Sequence, residues 1–204
     1  MVSADLKWEF RRKIFHSLSL VYLGLYHLLG VEAFLLGITA FMVAEGTLEL
    51  IRLKEPRVNE ALMSYFGGIH REAEASRISG VLWTSLGCAA TVVLFGGRPM
   101  LVALGLTHLA LGDAAAALAG KSFGRFRVSI LGKTKSLEGS LACFFVCFAA
   151  AKLIGFDLRI CAASAAAATL VEALPVPLDD NLWIPLASSL TAYLLAGTSA
   201  GLAG

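Results

Sequence analysis

Apolar residues dominate seven stretches of this chain, and polar residues collect between them and towards one end of several. A helix needs about 20 predominantly apolar residues to cross a bilayer. Seven such spans are predicted, at 14–30, 31–51, 79–96, 99–120, 137–155, 158–174 and 181–200. Only Leu29-Gly30-Val31 separates the first two, which predicts a tight hairpin. Gly96-Gly97-Arg98-Pro99 parts the third from the fourth. Pro175 and Pro177 stop the sixth, because proline brings no amide proton to a helix. Beyond the second span, Val58, Ala61, Leu62, Tyr65, Phe66 and Ile69 recur at helical spacing, with Asn59, Glu60 and Ser64 elsewhere. That pattern predicts a helix lying in the membrane interface, where it would shape the entry for a lipid. The expected fold class is all-α: a polytopic membrane bundle of about seven transmembrane helices. One domain is expected over residues 1–204, without linker, low-complexity tract or clear internal repeat.

Composition excludes an ordinary soluble domain. The 204 residues are 57% hydrophobic and 16% charged, where soluble domains carry about 25% charged residues; mean hydropathy is +0.75. Lysine and arginine sort by side. Lys7, Arg11, Arg12, Lys13, Arg52, Lys54, Arg57, Arg71, Arg77, Lys121, Arg125, Arg127, Lys133 and Lys135 fall on one side, and Arg98, Lys152 and Arg159 on the other. Basic residues concentrate in cytoplasmic loops. The N-terminus and the 175–180 loop are therefore expected in the cytoplasm, and the C-terminus outside. The basic start before an apolar run could imitate a secretory signal. Without a small-residue cleavage site, and with further spans following, it is expected to stay as the first helix. Cys88, Cys143, Cys147 and Cys161 all lie in apolar stretches and complete no metal set, so they are expected to act as small buried hydrophobes.

Within the spans, the polar clusters lie almost wholly at the cytoplasmic ends: Glu45 and Glu49 in the second, Asp113 in the fourth, Glu172 in the sixth. One site opening to the cytoplasm accounts for that bias. Asp113 lies seven residues before Gly120, about 10 Å deep at the α-helical rise, and a carboxylate in hydrocarbon is rarely kept without a partner or a function. Gly112, Asp113, Ala116, Ala117 and Gly120 share a helix face. Small residues there admit either another backbone or a ligand. Asp113 can hold Mg²⁺, which takes one or two protein carboxylates and completes its shell with water and phosphate oxygens.

The following loop carries Lys121, Arg125, Arg127, Lys133 and Lys135 with Gly120, Gly124 and Gly132. Membrane topology alone accounts for part of this charge, and phosphate binding through backbone amides and cations for the rest. Ser136, Glu138 and Gly139 open the next span, at a helix N-terminus that favours an anion; Glu138 also suits the dipole there. Arg12 and Lys13 enter the first span with His16 one turn after Arg12. Glu49 and Arg52 are expected to pair along one face, and Arg71 and Glu74 belong to a charge cluster before the third span. Asp179 and Asp180 either cap the last span or supply a metal ligand or base beside Asn181.

Together these motifs resemble the CTP-dependent lipid kinases, the family of dolichol kinase, phytol kinase and CTP-dependent diacylglycerol kinase. The resemblance rests on Arg12-Lys13-x-x-His16, Glu49-x-x-Arg52, Arg71-x-x-Glu74, Gly112-Asp113-x-x-Ala116-x-x-x-Gly120-Lys121-x-x-Gly124, Lys135-Ser136-x-Glu138-Gly139-Ser140, and Glu172 followed by Asp180-Asn181-x-x-x-Pro185. It implies an integral, multi-pass enzyme whose site faces the cytoplasm. The activity implied is transfer of the CTP γ-phosphate to a lipid alcohol of the diacylglycerol, polyprenol or phytol class. Lipid and nucleotide are the expected partners, nucleic acid is not, and Mg²⁺ is the expected cofactor. By position, Arg12, Lys13, Asp113 and Gly120 match residues the family needs for activity. Asp113, with Asp180 or Glu138, would hold the metal; Lys121, Arg125, Lys133 and Lys135 would hold phosphate charge; Asp180 and Glu49 are candidate bases. The Gly112–Gly124 and Lys133–Ser140 segments are also similar to phosphatidate cytidylyltransferase, which makes a CDP-lipid. That enzyme closes on a Gly/His-rich Asp-Arg signature where this chain has Asp179-Asp180-Asn181, a departure that favours the kinase branch. Position 121 is Lys where the related enzymes often carry Arg, so a bidentate phosphate grip is not available there.

Overall fold

The computed structural model describes residues 20–65, 78–130 and 133–198. Arg12, Lys13, His16, Arg71 and Glu74 lie outside the described residues. Helix α1 (Leu20–Lys54) is broken at Gly30, whose φ of 77° and ψ of 175° lie in a region open essentially to glycine alone. The chain doubles back there. The rings of Tyr22 and Phe34 sit 6.4 Å apart, whereas twelve residues of straight helix would part them by about 18 Å. The expected hairpin is thus present, with the first two predicted spans as its arms. Tyr26 Oη donates to the Gly96 carbonyl at 2.7 Å and ties the hairpin to the far end of the next span.

Helices α2 (Pro56–Tyr65), α3 (Gly80–Phe95) and α4 (Pro99–Thr107) follow. Pro99 starts α4 in the first turn, where its missing amide removes nothing. A π turn over His108–Gly112 carries α4 into α5 (Asp113–Phe123), making a continuous rod of 25 residues. Helices α6 (Leu137–Ile154), α7 (Leu158–Ala173) and α8 (Asp180–Thr198) complete the bundle. Gly155, at φ 111°, closes α6, and the Asp157 side chain accepts the Ile160 amide to open α7. The predicted spans coincide with these helices to within a few residues, except that residues 14–19 of the first lie outside the described residues. The 121–136 segment does not remain a loop as expected. Strands β1 (Arg127–Ile130) and β2 (Lys133–Ser136) form an antiparallel ribbon with Arg127 opposite Ser136 and Ile130 opposite Lys133. Arg127-Val128-Ser129-Ile130 alternates with the period of two that a strand requires, in a stretch too short to stand out beside its charges.

Packing depends on small residues. A Cβ on Gly112 would lie 2.5 Å from Cys147 Sγ, and one on Gly139 would lie 2.7 Å from the Ala116 carbonyl, so α5 and α6 cross at near backbone contact. Leu104, Leu106, Cys88, Cys147, Cys161 and Ile184 are fully buried, and the four cysteines are free thiols. Leu141, Phe145, Leu153, Leu170, Leu190 and Leu194 face outward, an apolar exterior suited to lipid. Among the described residues, three helical segments are long and apolar enough to cross a membrane: Leu20–Lys54, Pro99–Phe123 and Leu137–Ile154. The fold is a helical bundle of membrane type.

The bend at Gly30 gives a stability test. Gly30→Ala should lower the unfolding free energy in detergent by about 1–3 kcal/mol, although no atom crowds the site of the new methyl. Gly37→Ala, equally uncrowded but helical, should be neutral or slightly stabilising.

Candidate active site

One end of the bundle gathers three acids around a lysine. Lys135, on β2, pairs with Glu172 at the last turn of α7 (Nζ to Oε1, 2.5 Å) and lies 3.6 Å from Asp180 Oδ2 at the start of α8. Asp113, buried at the first position of α5, is within electrostatic reach of both Lys135 and Glu172. Burial by itself would favour the neutral amine of Lys135. The carboxylates of Glu172, Asp180 and Asp113 outweigh it and hold the ammonium above the ordinary lysine value. Glu172 Oε2 and Asn181 Oδ1 are buried without a hydrogen-bond partner among the described residues. Polar atoms so placed are normally satisfied, so this end of the bundle offers unspent acceptor capacity.

The loop before α8 decides which acid faces the cluster. Leu178 adopts a left-handed φ of 68°, a rare state for a residue with a branched side chain. Asp179 then caps the helix, its Oδ1 accepting the Asn181 amide at 3.0 Å, while Asp180 turns to Lys135. Trp183 Nε1 fixes the same loop by donating to the Pro177 carbonyl at 2.8 Å. The two acids therefore divide: Asp179 caps the helix and Asp180 lies beside Lys135.

The glycines expected to cradle phosphate have a packing duty. Ser136 Oγ accepts the Gly139 amide at 3.1 Å and caps α6. It also lies 2.9 Å from where a Gly120 Cβ would be and 3.0 Å from that of Gly124. Gly120, Gly124, Ser136 and Gly139 thus form the close seam that brings α5, β2 and α6 together. Glu138 Oε1 accepts the amides of Arg125 and Phe126 at 2.9 and 3.2 Å, anchoring the entry to the ribbon rather than joining the acids around Lys135. Lys121 and Arg125 are exposed at the rim, and Lys133 opens β2.

Glu49 and Arg52 belong to a second polar cluster. Arg52 grips Glu49 with two hydrogen bonds of 2.9 and 2.7 Å and donates to Asn59 Oδ1 at 3.2 Å. The Ser79 amide donates to Glu49 Oε2, and its hydroxyl to Glu45. The expected pairing of Glu49 with Arg52 is present, and it ties α1, α2 and the start of α3 together. His108, fully buried, was not among the residues the sequence picked out. Its position inside an apolar span was the only available signal. Among the described residues, no group of three or more His, Cys, Asp or Glu side chains forms a ready-made metal cage. Mg²⁺ does not need one, since one or two carboxylates suffice when phosphate completes the shell. Asp113, with the open Glu172 Oε2 beside it, fits that lesser requirement.

The chain is similar to known proteins. It is 33% identical over 143 residues to CTP-dependent diacylglycerol kinase 1 of Saccharomyces cerevisiae, covering 69% of this chain and 48% of the relative. It is 30% identical over 158 residues to the probable chloroplastic phytol kinase 1 of Oryza sativa subsp. japonica, covering 69% and 49%. A third relative, CTP-dependent diacylglycerol kinase 1 of Schizosaccharomyces pombe, is 28% identical over 165 residues, covering 72% and 74%. The chain spans about half the length of the first two. No family model and no solved structure matches.

Breaking the central ion pair should be costly in a way its partner can relieve. Lys135→Met should lower stability at neutral pH by about 3 kcal/mol, because it leaves a buried carboxylate uncompensated; adding Glu172→Gln should recover most of that loss. The Lys135 contribution should be complete below its ordinary pKa of 10.5 and vanish as pH climbs through the raised folded-state value. Unfolding in detergent across alkaline pH, wild type against Lys135→Met, measures both effects.

Proposed function

The relatives support membership of the CTP-dependent lipid kinase family, and from that premise we propose that the chain transfers the γ-phosphate of CTP to the hydroxyl of a membrane lipid alcohol. The observation that carries the reading is the convergence of Asp113, Glu172 and Asp180 on Lys135, beside the exposed cations of the 121–127 segment. Diacylglycerol and phytol are the acceptor classes named for the relatives; a polyprenol brings the same hydroxyl on a hydrocarbon tail. The bias of basic residues supports a cytoplasmic mouth in a multi-pass protein of the inner membrane, if the source is bacterial.

Phosphoryl transfer requires little covalent help from a protein, so positioning and charge neutralisation carry most of the catalysis. Lys121, Arg125, Lys133 and Lys135 hold the phosphates of CTP. Asp113, with Glu172 or Asp180, would hold Mg²⁺, which neutralises charge on the phosphate oxygens. The lipid oxygen bonds to the γ-phosphorus, the bond from that phosphorus to the bridging oxygen breaks, and CDP leaves. Asp180 takes the hydroxyl proton. Its side chain is 19% accessible where that of Glu172 is 5%, and Glu49, the other candidate base, is committed to Arg52. Arg12 and Lys13 join the site at the membrane surface through the family match alone.

Purified protein in mixed detergent and lipid, with Mg²⁺ and CTP labelled at either the α or the γ phosphate, tests this. Label should pass from the γ position to diacylglycerol, phytol or polyprenol, and not from the α position. Asp113→Asn should keep its unfolding midpoint and lose roughly 10²-fold or more in rate. Wild-type turnover in that variant would overturn the role of Asp113. Transfer of α-label to a lipid phosphate, with release of pyrophosphate, would assign the chain to cytidylyl transfer instead.

A further inference from the structure

We propose that His108 is the positioning residue that aims Asp113 into the site, by holding the π turn that precedes it. His108 opens that turn and Gly112 closes it. Both imidazole nitrogens are engaged. The Cys147 carbonyl, 2.9 Å from Nε2, can only accept, so Nε2 carries the proton; Nδ1, 3.1 Å from Ser188 Oγ, accepts from that hydroxyl. One residue of α4–α5 is thereby bonded to both α6 and α8. At the other end of the turn, Gly112 rests on Cys143 and Cys147.

A π turn holds one residue more than the α turn it replaces, and an α-helix advances about 100° per residue. If the turn relaxed to α, everything beyond it would rotate by about that angle relative to α4. Asp113 is the first residue beyond. The packing shows why the offset is needed. Gly105 meets Pro185 and Ser189 of α8, whereas Gly112 meets α6. Residues seven apart in an unbroken α-helix point nearly the same way, drifting by about 20°, so a regular helix could not serve both contacts as well. The bonds of His108 hold the rod in the form that satisfies α8 above the turn and α6 below it, with Asp113 within electrostatic reach of Lys135 and Glu172.

The inference rests on Asp113 acting in the site, but its primary test needs no catalysis. The coupling between Asp113 and Lys135 is read from unfolding of the full chain in detergent, through the Asp113→Asn, Lys135→Met double-mutant cycle. The cycle is repeated in three backgrounds: His108→Gln, His108→Leu, and His108→Leu with Leu111 deleted. Gln keeps a donor and an acceptor and should preserve the coupling. Leu should abolish it, or prevent folding, by releasing the turn. Removing Leu111 as well shortens the turn by one residue, so a plain α-helix returns Asp113 to phase, and the coupling should reappear. Coupling that survives in His108→Leu overturns the proposal. So does a double variant that fails to fold or folds without coupling, since a merely structural histidine would not be rescued by a deletion. Transfer of γ-label from CTP in the same proteins should fall and recover in parallel. Coupling that behaves as expected in a protein without transfer activity would leave the role of His108 standing and remove the kinase reading.

Discussion

Three carboxylates held at one end of an apolar bundle repel one another, and Lys135 is the cation that lets Glu172, Asp180 and Asp113 share that space. Charges in a low-dielectric setting interact far more strongly than in water, and the desolvation they suffer is repaid only by close pairing. Much of the local architecture follows. The ribbon must fold back onto α7 and α8 to deliver the lysine. The entry to the ribbon is secured by Glu138, and its exit by Ser136 as the cap of α6. The seam of Gly120, Gly124 and Gly139 lets α5 come close enough to α6 for Asp113 to join the group.

The two polar clusters differ in how their charge is balanced. Around Arg52 the charge is balanced by close pairing: two bonds to Glu49, one to Asn59, and the Ser79 amide on the Glu49 Oε2 that Arg52 also grips, with Glu45 Oε2 left without a partner among the described residues. Such a network rigidifies the join between α1, α2 and α3. Around Lys135 one ammonium faces three acids, and Glu172 Oε2 and Asn181 Oδ1 go without protein partners among the described residues.

The helices were legible because hydrocarbon imposes a length and a polarity that few sequences satisfy by chance. Their ends were marked by residues with strict backbone demands: Gly30, Pro99, Pro175. The Glu49–Arg52 pair was legible because residues three apart on a helix are neighbours. Two features were hidden. The ribbon is four residues per strand, too brief for its alternation to compete with the five cations around it. The π turn leaves no mark in composition, because it is decided by what His108 and Gly112 meet on α6 and α8, far away in sequence. For the same reason Glu172 was seen as a polar residue at a helix end and as part of a motif with Asp180 and Asn181, but without its partner. Its partner lies 37 positions away, and only the tertiary fold reveals that it, rather than Glu138, stands with Asp113 and Asp180.

The lysine of the site is carried by a ribbon and not by a helix, and this has an electrical consequence. A two-stranded ribbon is marginally stable on its own, and Arg127, Val128 and Ser129 of β1 are exposed. The positive charge nearest the acids is therefore carried by a short strand whose hold on the bundle comes from its two ends, Glu138 at the entry and Ser136 at the exit, and from the ion pair with Glu172 itself.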